Sequence, residues 1–497
     1  LGAFRGRRTT IAAMCLVLMA AACSSTNRTS TDLAAESTDA ATPNDPSASA
    51  KAGAAGATRN AEDGTARATS DGNASTRAPG AGAPVATGAP TKLTSPIEIG
   101  FVLTKVSNAE QFGVDTGETV SEEKVIEALV KAYNDAGGIA GRKIVPVYAE
   151  TDTATNRWDA DFAAACATFT QDHKVVAVLG YVFDFQPPLE DCLAKKGIPH
   201  LSTTFNVPDA EIMRRYPLLM ALSTPRIERR SIAKIDGAIR DKLLTPKKRL
   251  GVLMDKCPGT ERAWDQKVLP YLKRRGITPV SVEKLSCGGG SSDTGRSLQE
   301  VQNAILRMRA ARVDTVMPHS VSEGPGIFVF SVEASSQNWS PTYIVSSLVN
   351  AAVLGGQMPS GQAANMHGYG WLPVQDTPPT KWLPTVTPSG KRCIDMVRKE
   401  GLTPSSAADY SFVLNVCDAL FVYERALRAT NGHHDGRLIA SAIESGGRFD
   451  SAINLEGGSL LSRTVHDAPS RVRHFAWDGT CKCFTYRGAS RPMPEVA

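Results

Sequence analysis

The chain has 497 residues, room for two or three ordinary domains, with 42% hydrophobic and 21% charged residues, the profile of a folded protein with a sizeable core. Its formal charge is only +5, and Arg5, Arg7 and Arg8 supply three of those charges at the extreme N-terminus. The remainder lacks the concentrated basic face that nucleic-acid binding needs, so no nucleic-acid partner is expected.

The first element is not part of a fold. "LGAFRGRRTTIAAMCLVLMAAACSST" places arginines before an apolar run at 11–22 and small residues after it, so 1–22 reads as a secretory signal peptide. The run is short for a bilayer span; the alternative is an anchor left in place. "MAAAC" resembles a bacterial lipobox, although Ala20 stands where Leu is favoured. It points to Cys23 as a lipidated N-terminus, where two acyl chains anchor stably. Residues 23–95 are mostly Ala, Thr, Ser, Gly, Asp and Pro and read as a disordered tether, since they cannot bury enough surface to offset ordering entropy. As a flexible coil such a tether spans about 45–50 Å.

Order begins at the strand-like "SPIEIGFVLT". A helix over 120–136 ends at "NDAGG" and leads to a strand at 143–149. A helix over 156–172 leads to "KVVAVLG", and one over 188–196 to "IPHLSTT". After about residue 225 the alternation restarts, with helices at 228–243, 261–275, 298–311 and 326–337 and strands at "RLGVLMD", "TPVSVEKL", "DTVMPHS" and "TYIVSS". This is an α/β pattern of two successive parallel sheets, hence two lobes. Residues 371–405 are rich in Pro, Thr and Trp and read as a crossing plus loop. Helices at 391–400 and 408–429 follow, then "NGHHDG", a solvated turn. Two strand-like runs around Asp478-Gly479 signal a terminal hairpin.

Ten cysteines fit an exported chain. Cys15 leaves with the signal and Cys23 takes lipid. Cys166, Cys192, Cys257, Cys287, Cys393, Cys417, Cys481 and Cys483 remain, an even set that reads as disulfides. Only Cys481 and Cys483 are close in sequence, and neither CxxC nor HxxxH spacing occurs, so no metal is expected. No GxxxxGK, HExxH, GxSxG or GxGxxG motif is present, and "CGGGSSDTG" reads as a surface loop. No cofactor and no enzymatic chemistry are expected.

The run "YNDAGGIAGRKIVPVYAETD", followed in order by "DHKVVAVLG", "KKGIPHLSTT" and, much later, "DYSFVLNVCDALFVYERAL", resembles the type I periplasmic binding proteins. The solute-binding proteins of branched-chain amino acid ABC transporters are the nearest pattern. The resemblance covers most of 97–483 and is clearest over 97–225. It implies two Rossmann-like lobes joined by three crossings, lobe I being 97–222 plus 375–455 and lobe II 226–370 plus 460–497. A small molecule would be held between the lobes, and the closed form would dock on an ABC permease outside the cytoplasm, with the lipid holding the protein to the membrane. A cell-surface sensor or envelope protein using the same fold is the alternative, and an enzyme on this scaffold a third.

Ligands of such sheets bind at the carboxyl ends of the strands, here the loops at 104–113, 181–187, 202–206, 255–259, 318–323 and 346–350. By the resemblance, Ser202, Thr203 and Thr204 would offer hydroxyls and amides to a carboxylate, or else merely cap the next helix. "GYVFDFQPP" lacks the family's serine; Tyr181, Phe183 and Phe185 would line an aromatic pocket or the lobe core, and Asp184 would pair with a cation. In lobe II, "IVSSLVN" offers Ser346 but no acid for an amine, leaving Glu323 or Asp255 as substitutes. His319 ends a strand facing the cleft, as contact or as structure. The expected ligand is amino acid-like, an amide or an aromatic acid. The same arrangement puts Cys166 and Cys192 on consecutive helices, Cys257 and Cys287 after lobe II strands, and Cys393 and Cys417 on successive helices; each pair is expected to bond, leaving Cys481 and Cys483.

Overall fold

The computed structural model describes residues 93–105, 115, 117–152, 157–180, 187–203, 208–287 and 294–496. The expected signal peptide, Cys23 and the tether up to residue 92 lie outside these residues; the last tether residues, 93–95, are described, and Ser95 is held by Arg142.

Strand β1 (Ile97–Lys105) leads to helix α1 (Glu122–Asp135). The Ser121 hydroxyl caps the helix by accepting from the Lys124 amide, and Glu122 and Glu123 fill the first turn, where the dipole favours acids. Val125, Ile126, Leu129, Val130 and Tyr133 bury one face. The helix stops because Gly137 and Gly138 take φ of +97° and +80° and the Gly138 amide folds back on the Tyr133 carbonyl at 2.8 Å. A Cβ at Gly138 would lie 2.0 Å from the Arg142 carbonyl oxygen, so backbone conformation and close approach both require glycine there. Arg142 then turns inward. It donates to the carbonyls of Ser95 (2.7 Å) and Gly432 (2.8 Å), and its guanidinium meets His434 Nδ1 at 2.6 Å. The "NGHHDG" turn is therefore pinned to lobe I rather than free in solvent.

Five strands complete the first sheet: β1, β2 (Ile144–Asp152), β3 (Ala177–Gly180), β4 (His200–Ser202) and β5 (Leu219–Ala221). All pair in parallel, in the order β2-β1-β3-β4-β5. Between them run α2 (Trp158–Ala167), α3 (Pro187–Lys196) and α4 (Ala210–Arg215). Strand β5 has only three residues and the sequence pattern does not reveal it.

The second sheet repeats the plan. It follows α5 (Ile227–Arg240) with β6 (Leu250–Asp255), α6 (Pro258–Ala263), α7 (Leu269–Arg274), β7 (Ser281–Leu285), α8 (Thr294–Ala310), β8 (Thr315–His319), α9 (Pro325–Ser336), β9 (Thr342–Ser346), two short helices, α10 (Ala351–Leu354) and α11 (Ser360–Ala364), and β10 (Met366–Gly370). Its parallel part runs β7-β6-β8-β9-β10, the same doubly wound order as the first. The terminal hairpin of β13 (Arg471–Asp478) and β14 (Cys483–Pro492) adds antiparallel strands beside β10. The small ribbon of β11 (Arg448–Phe449) and β12 (Ser459–Leu460) stands apart from both sheets.

Residues 371–405, expected as a crossing plus loop, also hold α12 (Pro373–Asp376), α13 (Pro379–Trp382) and α14 (Pro388–Lys399). Each begins on a proline, whose missing N–H costs nothing in a first turn. Helix α15 (Ala407–Ala429) packs against α1, β3 and β4, so the chain returns to cover the first sheet. Helix α16 (Gly436–Gly446), unexpected from the sequence, is capped by Asp435, which accepts from the Arg437 and Leu438 amides. The disulfides are Cys166–Cys192, Cys257–Cys287, Cys393–Cys417 and Cys481–Cys483.

Three crossings join the lobes, and they are bonded to one another. The Trp371 indole donates to the Ser223 carbonyl at 2.8 Å, the Leu455 amide to the Trp371 carbonyl at 3.1 Å, and Asn454 Nδ2 to the Leu222 carbonyl at 2.8 Å. Asp467, 1% exposed, accepts from the Arg226 amide and Arg229 Nη1 and so fixes the start of α5. Ser347 Oγ accepts from the amides of Trp371 and Leu372.

Beside the second crossing, Asp376 is fully buried and accepts from the Tyr486 hydroxyl at 2.6 Å. Burial pushes its carboxyl up to about 8, against an ordinary value of 3.8. The folded state thus holds a proton that the unfolded chain releases, so this site's contribution is complete below about pH 4 and is lost as pH rises through about 8. Asp376→Asn is expected to make the decline in stability between about pH 5 and pH 8 shallower, by at most about 1.4 kcal/mol per pH unit. Urea titrations at stepped pH read this directly; parallel curves for the two proteins would refute it.

Candidate functional site

In both sheets the strand order reverses at one point, between β1 and β3 in the first and between β6 and β8 in the second. Crevices form at the carboxyl ends of strands at such points.

On the first lobe, Ser202 ends β4 in register with Gly180 and Ala221 and is buried. The Thr203 amide donates to the Gly180 carbonyl at 3.0 Å. Among the described residues its buried hydroxyl has no partner, and neither has that of Thr224 on the first crossing. A buried hydroxyl left unpaired costs about 1–3 kcal/mol, which an incoming acceptor recovers. Glu122, in the first turn of α1, reaches the end of β1, where its carboxyl accepts from the Thr104 amide. Burial raises it to about 8, so it is mostly a protonated acid at neutral pH and a potential donor. Tyr181, Phe183, Asp184 and Thr204 lie outside the described residues.

On the second lobe the polar groups satisfy one another. His319 is fully buried; Nδ1 lies 3.0 Å from Ser231 Oγ, Nε2 lies 3.3 Å from the Thr260 carbonyl, and its ring packs on Trp264 at 5.5 Å. Burial, then the charges of Lys234 and Arg230, push it down to about 3, so it is neutral. The carbonyl fixes the proton on Nε2 and leaves Nδ1 to accept from Ser231. Ser346 ends β9, and its hydroxyl caps the next turn by accepting from the Leu348 amide at 3.4 Å. Glu323 bonds the Ser346 amide and pairs with Lys234 Nζ at 2.6 Å, while Lys234 also donates to the Pro318 carbonyl at 2.7 Å. Glu323 is thus already neutralised by a lysine. Asp255 is buried at the end of β6.

Solved structures share this architecture. The ABC transporter substrate-binding protein of Aeropyrum pernix aligns over 81% of this chain and 97% of its own with 13% identity and a TM-score of 0.58. The branched-chain amino acid transporter substrate-binding protein LivJ of Streptococcus pneumoniae, in complex with isoleucine, aligns over 80% and 99% with 16% identity and a TM-score of 0.57. A solute-binding protein of an ABC transporter from R. palustris, in complex with 4-hydroxybenzoate, aligns over 80% and 98% with 12% identity and a TM-score of 0.57. The fold is that of the type I periplasmic binding proteins. No protein-family profile matches the chain, and no curated protein does.

In this type I periplasmic binding fold, two interlobe clasps among the described residues are not revealed by the sequence pattern. Asp209 caps α4 on lobe I and is 1% exposed. It receives Arg262 of α6 through Nε at 2.5 Å and Nη2 at 2.9 Å, a bidentate pair across the lobes. Next to it the Ala210 amide donates to Glu228 of α5 at 3.0 Å. Elsewhere Asp115 and Gln357 exchange two bonds, from the Asp115 amide at 3.0 Å and from Gln357 Nε2 to the Asp115 carbonyl at 2.9 Å. Among the described residues no cluster of His, Cys, Asp and Glu suits a metal ion, and no helix is long and apolar enough to cross a membrane.

Proposed function

We propose that this protein is a solute-binding protein that captures a small molecule between its lobes for an ABC-type importer, held outside the cytoplasm by lipid on Cys23 after removal of residues 1–22. The tether is 23–95; lobe I is 97–222 plus 375–455, and lobe II 226–370 plus 460–497. The observation that carries the reading is the pair of clasps, Asp209–Arg262 and Asp115–Gln357, joining two lobes of a substrate-binding fold. A ligand that bridges both lobes would favour the form in which these contacts are made.

The chemistry selects a ligand class. Thr203 offers an unpaired hydroxyl to an oxyanion or carbonyl, with Ser202 and Thr204 beside it in sequence. Glu323, the acid that an α-ammonium group would seek on lobe II, is committed to Lys234. An aromatic acid or an amide therefore fits better than a free α-amino acid, with Tyr181 and Phe183 as the aromatic wall and Asp184 beside them. His319 and Ser346 serve by shaping the lobe II side, since their polar atoms already have partners.

A thermal-shift panel of amino acids, amides and aromatic acids on the full chain tests the reading, and it fails if no compound raises the melting point. For a compound that binds, Thr203→Val is expected to weaken affinity about tenfold or more, since a bond to a charged group contributes about 1.5–3 kcal/mol. Unchanged calorimetric affinity in that variant would remove Thr203 from the site.

A further inference from the structure

A second cavity, of 690 Å³, lies against the hinge, where the second and third crossings run between the lobes. That volume is in the range of small-molecule pockets. Its walls come from lobe I (Thr387 and Leu414), lobe II (Arg471, Arg473, Thr485 and Tyr486) and two of the three crossings (Val374 and Leu455). Of the segments that follow parallel strands, only the one after β10, which forms the second crossing, contributes to its walls.

Its polar groups are out of balance. Lys381, Arg471 and Arg473 line it, and among the described residues no carboxylate lies within ion-pairing distance of any of them. The two arginines are oriented from behind: Arg471 donates to the Ser490 hydroxyl and carbonyl at 2.9 and 3.0 Å, and Arg473 Nε to the Gly488 carbonyl at 2.7 Å. Arg473 also lies over the Tyr486 ring, 4.8 Å from its centroid. Of the two carboxylates on the lining, Asp478 faces Arg487 at 3.7 Å and Glu456 is exposed. Trp382, 3% exposed, is on the lining, and among the described residues its buried indole N–H has no partner. An indole nitrogen only donates, so the missing partner is an acceptor. Thr485 Oγ1 is likewise buried without a partner, and so is the acceptor Asn454 Oδ1.

We propose that this hinge-face cavity is a second ligand site, for a small hydroxylated organic anion, and that its occupancy sets the angle between the lobes. The anionic group would meet Lys381, Arg471 and Arg473 and accept from Trp382, while a ligand hydroxyl would donate to Asn454. Because both lobes and two crossings form the walls, hinge bending reshapes the cavity, and a ligand that fits one shape favours that state. The site stands whether or not the interlobe cleft takes a solute.

Calorimetry on the full chain with citrate, gluconate and inorganic phosphate, each to about 1 mM, tests it. At least one anion is expected to bind, with at least tenfold loss in Lys381→Glu, an exposed position that leaves folding intact, and again in Arg473→Glu. Thr203→Val should leave that binding unchanged. Phosphate binding alone, without citrate or gluconate, overturns the hydroxylated-ligand assignment. Binding that survives both charge reversals, or that Thr203→Val abolishes, overturns the site. So does the absence of binding by all three probes. Small-angle scattering with and without the bound anion reads the coupling, and an unchanged radius of gyration refutes it.

Discussion

Lys234→Met is expected to destabilise the protein by about 3–5 kcal/mol, the usual consequence of removing one partner from a buried ion pair. Lys234 and Glu323 have side-chain exposures of 1% and 0%. Burial, helped by the charge of Arg230, pulls the lysine below its ordinary value, and the Glu323 carboxylate opposes that shift. Methionine fills a similar volume but leaves a carboxylate in the interior with the Ser346 amide as its remaining bond. Adding Glu323→Gln should recover most of the loss, because the amide oxygen still accepts from Ser346 and no charge remains buried. Urea denaturation of the two single variants and the double variant measures this. A loss under about 1 kcal/mol in Lys234→Met would mean that the pair is wet and weak, as surface pairs are.

Arg262→Ala is expected to open the molecule. In the closed form Asp209 would keep only its capping bond to the Ile212 amide at 3.3 Å, while in the open form water can solvate it. Losing a charge-assisted bidentate pair at a partly exposed site shifts the open–closed balance by about 1–2 kcal/mol, a factor of about 5–30. Small-angle scattering should show a larger radius of gyration, and any cleft ligand should bind more weakly by a similar factor. Because the arginine is partly exposed, the wild type should also open somewhat as salt rises, and the variant should not. Identical scattering from both proteins would show that Asp209–Arg262 holds nothing closed.

The order of helices and strands was legible because a buried parallel sheet alternates with amphipathic helices, and the Gly137-Gly138 stop shows in the residues themselves. Three-residue β5 carries too little pattern to stand out, and α16 hides behind a turn whose Asp435 reads equally as loop or cap. In α5, Glu228, Arg229, Arg230 and Lys234 look like the solvated face of a surface helix, yet all four are buried. Their burial is set by partners far along the chain, Glu323 being 89 residues from Lys234 and Asp467 238 from Arg229. The site divides in the same way. Thr203 follows from its place after β4, whereas the two partners of His319 come from helices that local spacing cannot bring together. The Asp209–Arg262 clasp, spanning 53 residues and two lobes, leaves no local trace.

Helix α15 covers a sheet whose last strand is made long before it. Its Val413, Leu414 and Leu420 belong to one apolar cluster with Ile99, Leu129 and Leu179 of the first lobe. In a chain that emerges N-terminus first, β5 precedes α15 by about 185 residues. Throughout that interval the finished strands of the first lobe have one face uncovered, while the second lobe, contiguous apart from its terminal hairpin, can gather its own parallel strands. Vectorial emergence therefore reverses the order of the chain: the lobe begun first is completed after the one begun second. During that wait the exposed strands are a natural client for a holding chaperone.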